Sequence, residues 1–332
     1  MLRIIAVFSL IAVCFSFGII FNSGFSIQTL TKERQPTSEA ESASRLQNCG
    51  SLERPHSDRI LLIAHRGDEQ KYVENTYEAI VSGAQSGADF VEIDVRKTKD
   101  GVFMIHHDEY TGRVTGCTDG DVAIKDSTWE HLRTKCSYKY VAPVSALMNS
   151  LSEVLEFTKN EKAGLVLDVK PDIKASDMQA FADELLKLDP HGKCMVGAAN
   201  QGTFGCFRNI IIYVNDFEAQ DRLVAMTKGL VNVDKKYRIL ANMTFLKITG
   251  NAADALKDPD KFLNHEGLAF HFNSASCETL HALRVLPEKM LVGWTLETKQ
   301  ELHDAQRMGL DAVVTSRLHD YLKYLGRDSA SQ

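Results

Sequence analysis

Four short stretches carry polar side chains that could act on one substrate. His65-Arg66-Gly67-Asp68 follows the apolar residues 61–64. An imidazole and a guanidinium in line with buried residues cannot themselves be fully buried without partners. Together they offer a general acid or base beside a phosphate-binding group, or else a strand end that simply reaches solvent. In Asp89-Phe90-Val91-Glu92-Ile93-Asp94-Val95, side chains of an extended strand alternate faces. Val91, Ile93 and Val95 then point one way, and Glu92 and Asp94 the other. Two carboxylates that close repel unless a proton or cation sits between them, and hard ions such as Ca2+ or Mg2+ take oxygen ligands of this kind. Residues 102–105 run into His106-His107-Asp108, where neighbouring imidazoles face opposite ways and at most one enters a shared site. In 164–170, Asp168 and Lys170 share a face. They offer a third metal carboxylate and a point charge for phosphate, or a structural ion pair. Trp294, ending another apolar run, suits a pocket wall as well as it suits a core.

Such groups act together only if a scaffold gathers the strand ends. Apolar runs at 60–64, 90–95, 102–105, 164–169, 195–198, 210–214, 290–294 and 312–315 predict strands. Residues 244–249 and 268–272 also look extended. Helical periodicity falls at 76–85, 152–159, 175–188 and 299–308. Strand and helix alternating in this way predict βαβ units and a parallel sheet. The span is close to the ~250 residues of a (β/α)8 barrel, whose chemistry sits at the C-terminal ends of its strands. The expected fold is therefore α/β, a single-domain TIM barrel over 59–325 with a tail at 326–332. The rival doubly wound sheet needs a Gly-rich first turn, and Ala64-His65-Arg66-Gly67 is not one.

Residues 1–26 hold Arg3 and then an apolar run over 4–21, which reads as a signal peptide or a membrane anchor. That places the chain outside the cytoplasm: secreted, periplasmic or membrane-anchored, with membrane association through 4–21. Residues 27–58 read as a polar linker. A formal net charge of −6 argues against a nucleic-acid partner, but a few local cations still suffice for a small anion. Of seven cysteines, one lies in the apolar run. The other six permit disulfides, and Cys117 and Cys136, like Cys194 and Cys206, are near in sequence.

His65-Arg66-Gly67, Glu74-Asn75-Thr76, Gly87-Ala88-Asp89, Glu92-x-Asp94-Val95 and His107-Asp108 resemble the glycerophosphodiester phosphodiesterase family. Arg113-Val114-Thr115, Trp294-Thr295 and Gly309-Leu310-Asp311 extend the likeness. The resemblance implies a barrel that hydrolyses glycerophosphodiesters to an alcohol and glycerol 3-phosphate. It makes His65 and His107 the acid/base pair and Glu92, Asp94 and Asp168 the ligands of Ca2+ or Mg2+. Arg66 and Lys170 would bind the phosphate of a small-molecule or lysolipid diester, Glu74 would support the first loop, and Trp294 would line the pocket. Asp168 stands where the family usually has Glu, and Thr315-Ser316 where it has Thr-Asp. Three rivals share the features. They are a lysophospholipase D or sphingomyelinase D-like enzyme, a phosphatidylinositol-specific phospholipase C type, and a non-catalytic headgroup-binding protein.

Overall fold

The computed structural model describes residues 42, 43, 46, 49, 59–139, 147–158, 161–187, 210–214, 244–248, 252–257, 267–284 and 290–327. The apolar segment 4–21, the predicted strand 195–198 and the pair Cys194 and Cys206 lie outside them. No helix among the described residues is long and apolar enough to cross a membrane.

Among the described residues, eight strands run parallel. They are β1 (Leu61–Ala64), β2 (Phe90–Lys97), β6 (Gly164–Val169), β7 (Ile210–Val214), β8 (Thr244–Ile248), β9 (Gly267–His271), β10 (Met290–Leu296) and β11 (Ala312–Thr315). Each pairs with the next along this order, and β1 pairs with both β2 and β11, so the pairings return to their start. The fold is TIM-barrel-like. Between the strands lie helices α1 (Tyr77–Gln85), α3 (Leu151–Thr158), α4 (Met178–Lys187), α5 (Cys277–Leu283) and α6 (Lys299–Arg307), with α7 (Leu318–Tyr324) after the last. Parallel strands covered on both faces read as continuous apolar runs. β6 is buried throughout, and β2 at every residue but its last.

Alternation divides the strand residues between two cores. Leu62, Val91, Ile93, Val95, Leu165 and Leu167 pack in the outer core with helix residues such as Ile80, Val154 and Phe181. Ile63, Phe90, Val166, Tyr213, Ala269, Val292, Ala312 and Val314 form the inner cluster. Continuing the inner series two residues at a time from Ile63, Phe90, Val166 and Val292 reaches His65, Glu92, Asp94, Asp168, Lys170 and Trp294. The inner wall is thus apolar deep in the ring and polar at the strands' C-terminal ends.

Two strand assignments change. The predicted strand 102–105 is not a stave of the ring. β3 (Phe103–Ile105) pairs antiparallel with β2, Val95 opposite Ile105. Only five residues separate β2 from β3, too few for the crossover that a parallel return requires. The staves that complete the ring are β8 and β9, in the two regions that looked extended outside the main strand set. After β3 the chain builds a small annex. Its strands β4 (Thr115–Cys117) and β5 (Cys136–Tyr138) are antiparallel and joined by the Cys117–Cys136 disulfide, with α2 (Trp129–Lys135) between them. Val114, Ile124, Leu132 and Met148 are among its core residues.

Part of the stretch read as linker is fastened to the barrel. A second disulfide joins Cys49 to Cys277 at the start of α5, and the Ser42 hydroxyl donates to Asp304 Oδ2 on α6 at 2.7 Å.

The loop after β1 depends on one glycine. Gly67 has φ +90°, and a Cβ there would lie 2.5 Å from the Ala79 carbonyl carbon of α1. The next amide, Asp68 N–H, donates to Ala79 O at 2.8 Å, so loop and helix cannot separate cheaply. Gly67→Ala should lower unfolding free energy by about 2 kcal/mol or more, read by denaturant melting followed by circular dichroism. An unchanged midpoint would show that the loop does not need this close approach.

Candidate active site

The polar end of the ring is built around three carboxylates. Asp94 of β2 lies in register with Asp168 of β6, and Glu92 is two residues earlier on the same face of β2. One oxygen of each falls within 4.8 Å of the others, and all three residues are buried. Two cations answer this charge. Lys170 Nζ lies 2.5 Å from Asp94 Oδ1 and 2.7 Å from Asp168 Oδ2. Arg66 Nε lies 3.3 Å from Asp94 Oδ2, and its Nη1 reaches Glu74 Oε1 at 2.9 Å. Asn75, with φ +59°, donates from Nδ2 to Asp94 Oδ2 at 2.7 Å and accepts from the Asp94 amide at 3.2 Å.

The compensation is uneven. Burial works against ionising Asp94, yet Lys170 and then Arg66 hold its carboxyl well below the usual range. Glu92 goes the other way, pushed up to about 7 first by burial and then by Asp94. Among the described residues it accepts only from the Arg66 amide, at 2.8 Å. An all-oxygen donor set, buried and short of positive charge at one member, fits a hard divalent cation. Glu92, Asp94 and Asp168 are the residues that would hold it.

Two imidazoles flank this cluster. His65 Nδ1 meets Glu69 Oε2 at 3.2 Å and Ser316 Oγ at 3.1 Å, which leaves Nε2 for the pocket. Burial pulls the His65 pKa down, but Glu69 overrides it with a smaller contribution from Glu92, and the net shift is upward. His107 Nδ1 meets Asp108 Oδ1 at 2.8 Å. Asp108 accepts from Arg113 Nε at 2.6 Å, and both terminal nitrogens of Arg113 reach Glu74 at 2.6 Å. Against burial, His107 and Arg113 hold the Asp108 carboxyl well below its ordinary range. His106 is turned away and fully buried, its Nε2 3.2 Å from Tyr110 O. The strand's alternation thus resolves in favour of His107.

His65, Arg66, Glu92, Asp94, His107, Asp168, Lys170 and Trp294 all line one cavity of about 270 Å3. Glu74 stands behind it, joining the loop that bears Arg66 to the one that bears His107. Reading the residues alone did not single out Glu69, Ser316, Tyr213 or Glu297. Of these, Glu69 left a trace as a carboxylate four residues after His65, and Ser316 as a departure from the family's Thr-Asp. Asn75 and Asp108 were visible only as letters of the family pattern.

The raised Glu92 pKa has a thermodynamic consequence. A folded pKa above the ordinary 4.5 means that the folded state binds more protons in that window. Stability of the metal-free protein is therefore lost as pH rises from about 4.5 to about 7. Glu92→Gln should flatten this part of the wild-type Tm-against-pH curve in EDTA. It should also remove most of the Tm gain on adding Ca2+ or Mg2+. Parallel curves for the two proteins would mean that Glu92 carries no buried charge cost.

The sequence profile of the glycerophosphoryl diester phosphodiesterase family matches residues 65–319. A glycerophosphodiester phosphodiesterase of Bacillus altitudinis is 36% identical over 158 residues, covering 46% of this chain and 63% of that protein. One from Caldanaerobacter subterraneus is 41% identical over 75 residues, covering 23% of this chain and 30% of that protein. Both matches span less than two thirds of the relative's length. Among solved structures, an Oleispira antarctica phosphodiesterase in complex with sn-glycerol-3-phosphate superposes with a TM-score of 0.61. It is 20% identical, over 82% of this chain and 98% of that one. A Thermotoga maritima glycerophosphodiester phosphodiesterase gives a TM-score of 0.55 at 21% identity, over 81% of this chain and all of that one. At such identities these structures speak for the fold alone. The match over 65–319 takes in most of the chain, every site residue named above lies within it, and the protein belongs to the glycerophosphoryl diester phosphodiesterase family.

Proposed function

We propose that this protein hydrolyses glycerophosphodiesters to an alcohol and glycerol 3-phosphate, with a divalent cation held by Glu92, Asp94 and Asp168. One observation carries the reading. Two imidazoles, each with Nδ1 fixed by a carboxylate, share a cavity with three converging buried carboxylates. The same-fold Oleispira protein, solved with sn-glycerol-3-phosphate, adds support.

When bound, such an ion supplies charge neutralisation at the phosphodiester oxygens. The chain's own groups do the rest. Two Lys170 donors go to Asp94 and Asp168, which leaves one of the ammonium's three for a phosphate oxygen. Arg66 keeps a terminal nitrogen beyond its contacts with Glu74 and Asp94. One histidine takes the proton of the attacking oxygen as the new P–O bond forms; attack by water gives glycerol 3-phosphate directly, whereas attack by a neighbouring glycerol hydroxyl gives a cyclic phosphate that a second step with water opens. The other gives a proton to the alcohol oxygen as the old P–O bond breaks. Glu69 and Asp108 act through these rings by fixing which nitrogen bears hydrogen.

We place the protein in an oxidising compartment outside the cytoplasm, with the apolar residues 4–21 as leader or anchor. The disulfides Cys49–Cys277 and Cys117–Cys136 support this placement.

The test is release of glycerol 3-phosphate from glycerophosphocholine, with EDTA and then add-back of Ca2+ or Mg2+. EDTA should abolish turnover and one ion should restore it. His65→Ala and His107→Ala should each cut kcat by roughly 10^2–10^4 while leaving the melting temperature near wild type. Near-normal kcat in both variants, or full activity in EDTA, would end the proposal. Glu69→Gln should fall in between, with most of its loss in kcat rather than KM, and Glu69→Asp should regain part of it. A loss confined to KM would deny Glu69 its positioning role.

A further inference from the structure

One charge in the cavity has no use in this mechanism. Glu297 lines it together with Trp294, yet is not one of the three carboxylates that converge on the cation site. Its carboxylate forms no hydrogen bond or ion pair with the described residues. The cavity's cations are engaged elsewhere: Lys170 with Asp94 and Asp168, Arg66 with Asp94 and Glu74. The backbone at Glu297 is firmly set. Its amide donates to Glu301 Oε2 at 2.9 Å, just ahead of the Thr298–Glu301 capping box that starts α6. Trp294 makes a T-shaped contact with His271, ring centroids 5.1 Å apart and planes 80° to each other.

With the phosphate met by Lys170 and Arg66, the unanswered charge of Glu297 on the cavity wall favours a substrate that brings a positive group of its own. A carboxylate and an indole on one cavity wall are the groups that recognise an ammonium, the first by charge and the second by its π face. We infer that Glu297 and Trp294 form a subsite for a cationic group on the leaving alcohol. The favoured substrates are then zwitterionic diesters whose alcohol carries a quaternary or primary ammonium. This inference rests on the hydrolase reading above and narrows it.

The test compares kcat/KM for glycerophosphocholine and glycerophosphoglycerol in the metal-loaded full-length protein. Wild type should prefer the choline diester. In Glu297→Gln the choline-to-glycerol ratio should fall about tenfold, mostly through KM, and in Glu297→Lys it should fall further. The same ratio for lysophosphatidylcholine against lysophosphatidylglycerol tells an acylated source of the headgroup from a free one. Choline chloride titrated calorimetrically into wild type and Glu297→Gln reads the subsite without turnover, and binding should weaken about tenfold in the variant. If wild type hydrolyses none of these diesters, the hydrolase reading has failed, and the choline titration alone judges the subsite. Unchanged ratios in both variants, or equal choline affinity in wild type and Glu297→Gln, would overturn the inference.

Discussion

Three carboxylates buried at the mouth of an apolar ring are the constraint on which the site depends. Glu92, Asp94 and Asp168 lie within 4.8 Å of one another with almost no solvent to screen them. Like charges so placed must be neutralised, protonated or bridged. Lys170 and Arg66 do the first for Asp94, and Lys170 does so for Asp168. Glu92 is left leaning toward the protonated form. The charge shortfall at Glu92 is what would make a divalent cation welcome there.

The loops around the cluster follow from that need. Asn75 can hold Asp94 by both amide and side chain only because the backbone turns left-handed there, and Arg66 does so as well, at φ +51°. Gly67, between β1 and the next amide bonded to Ala79, lets the chain pass hard against α1. Non-glycine residues in this region carry strain, which surrounding hydrogen bonds must offset. Glu74 supplies some of them. It binds Arg66 and Arg113 at once, so the loops that present His65 and His107 are coupled through one carboxylate.

Each imidazole also has its own carboxylate, and these come from different sources. Asp108 adjoins His107 in sequence, whereas Glu69 lies one helical turn's worth of chain beyond His65 and shares the ring nitrogen with Ser316 from the far end of the molecule. The family resemblance implies Asp at the Ser316 position. In this chain the hydroxyl there is joined by Glu69, so the negative charge beside His65 arrives from its own loop.

Much of the site could be read from periodicity. Glu92 with Asp94 and Asp168 with Lys170 sit two apart on strands, and a period of two puts them on one face whatever the rest of the chain does. The same local rule separated His106 from His107. The family pattern chose His107, but from the residues alone the choice needed the register of β3 against β2. That register also corrected the strand at 102–105, whose apolar run looks the same whether it pairs parallel or antiparallel. Contacts across long separations left no sequence trace. His65 meets Ser316, and Cys49 meets Cys277, only because closure of the ring brings distant segments together. Glu297 reads as an ordinary residue before a helix cap until the ring places it on the wall of the same cavity. Local alternation is a property of neighbouring peptide units and is written in the sequence. Which ends meet, and which charges are left unanswered there, are set by packing over the whole chain, and only the tertiary structure decided them.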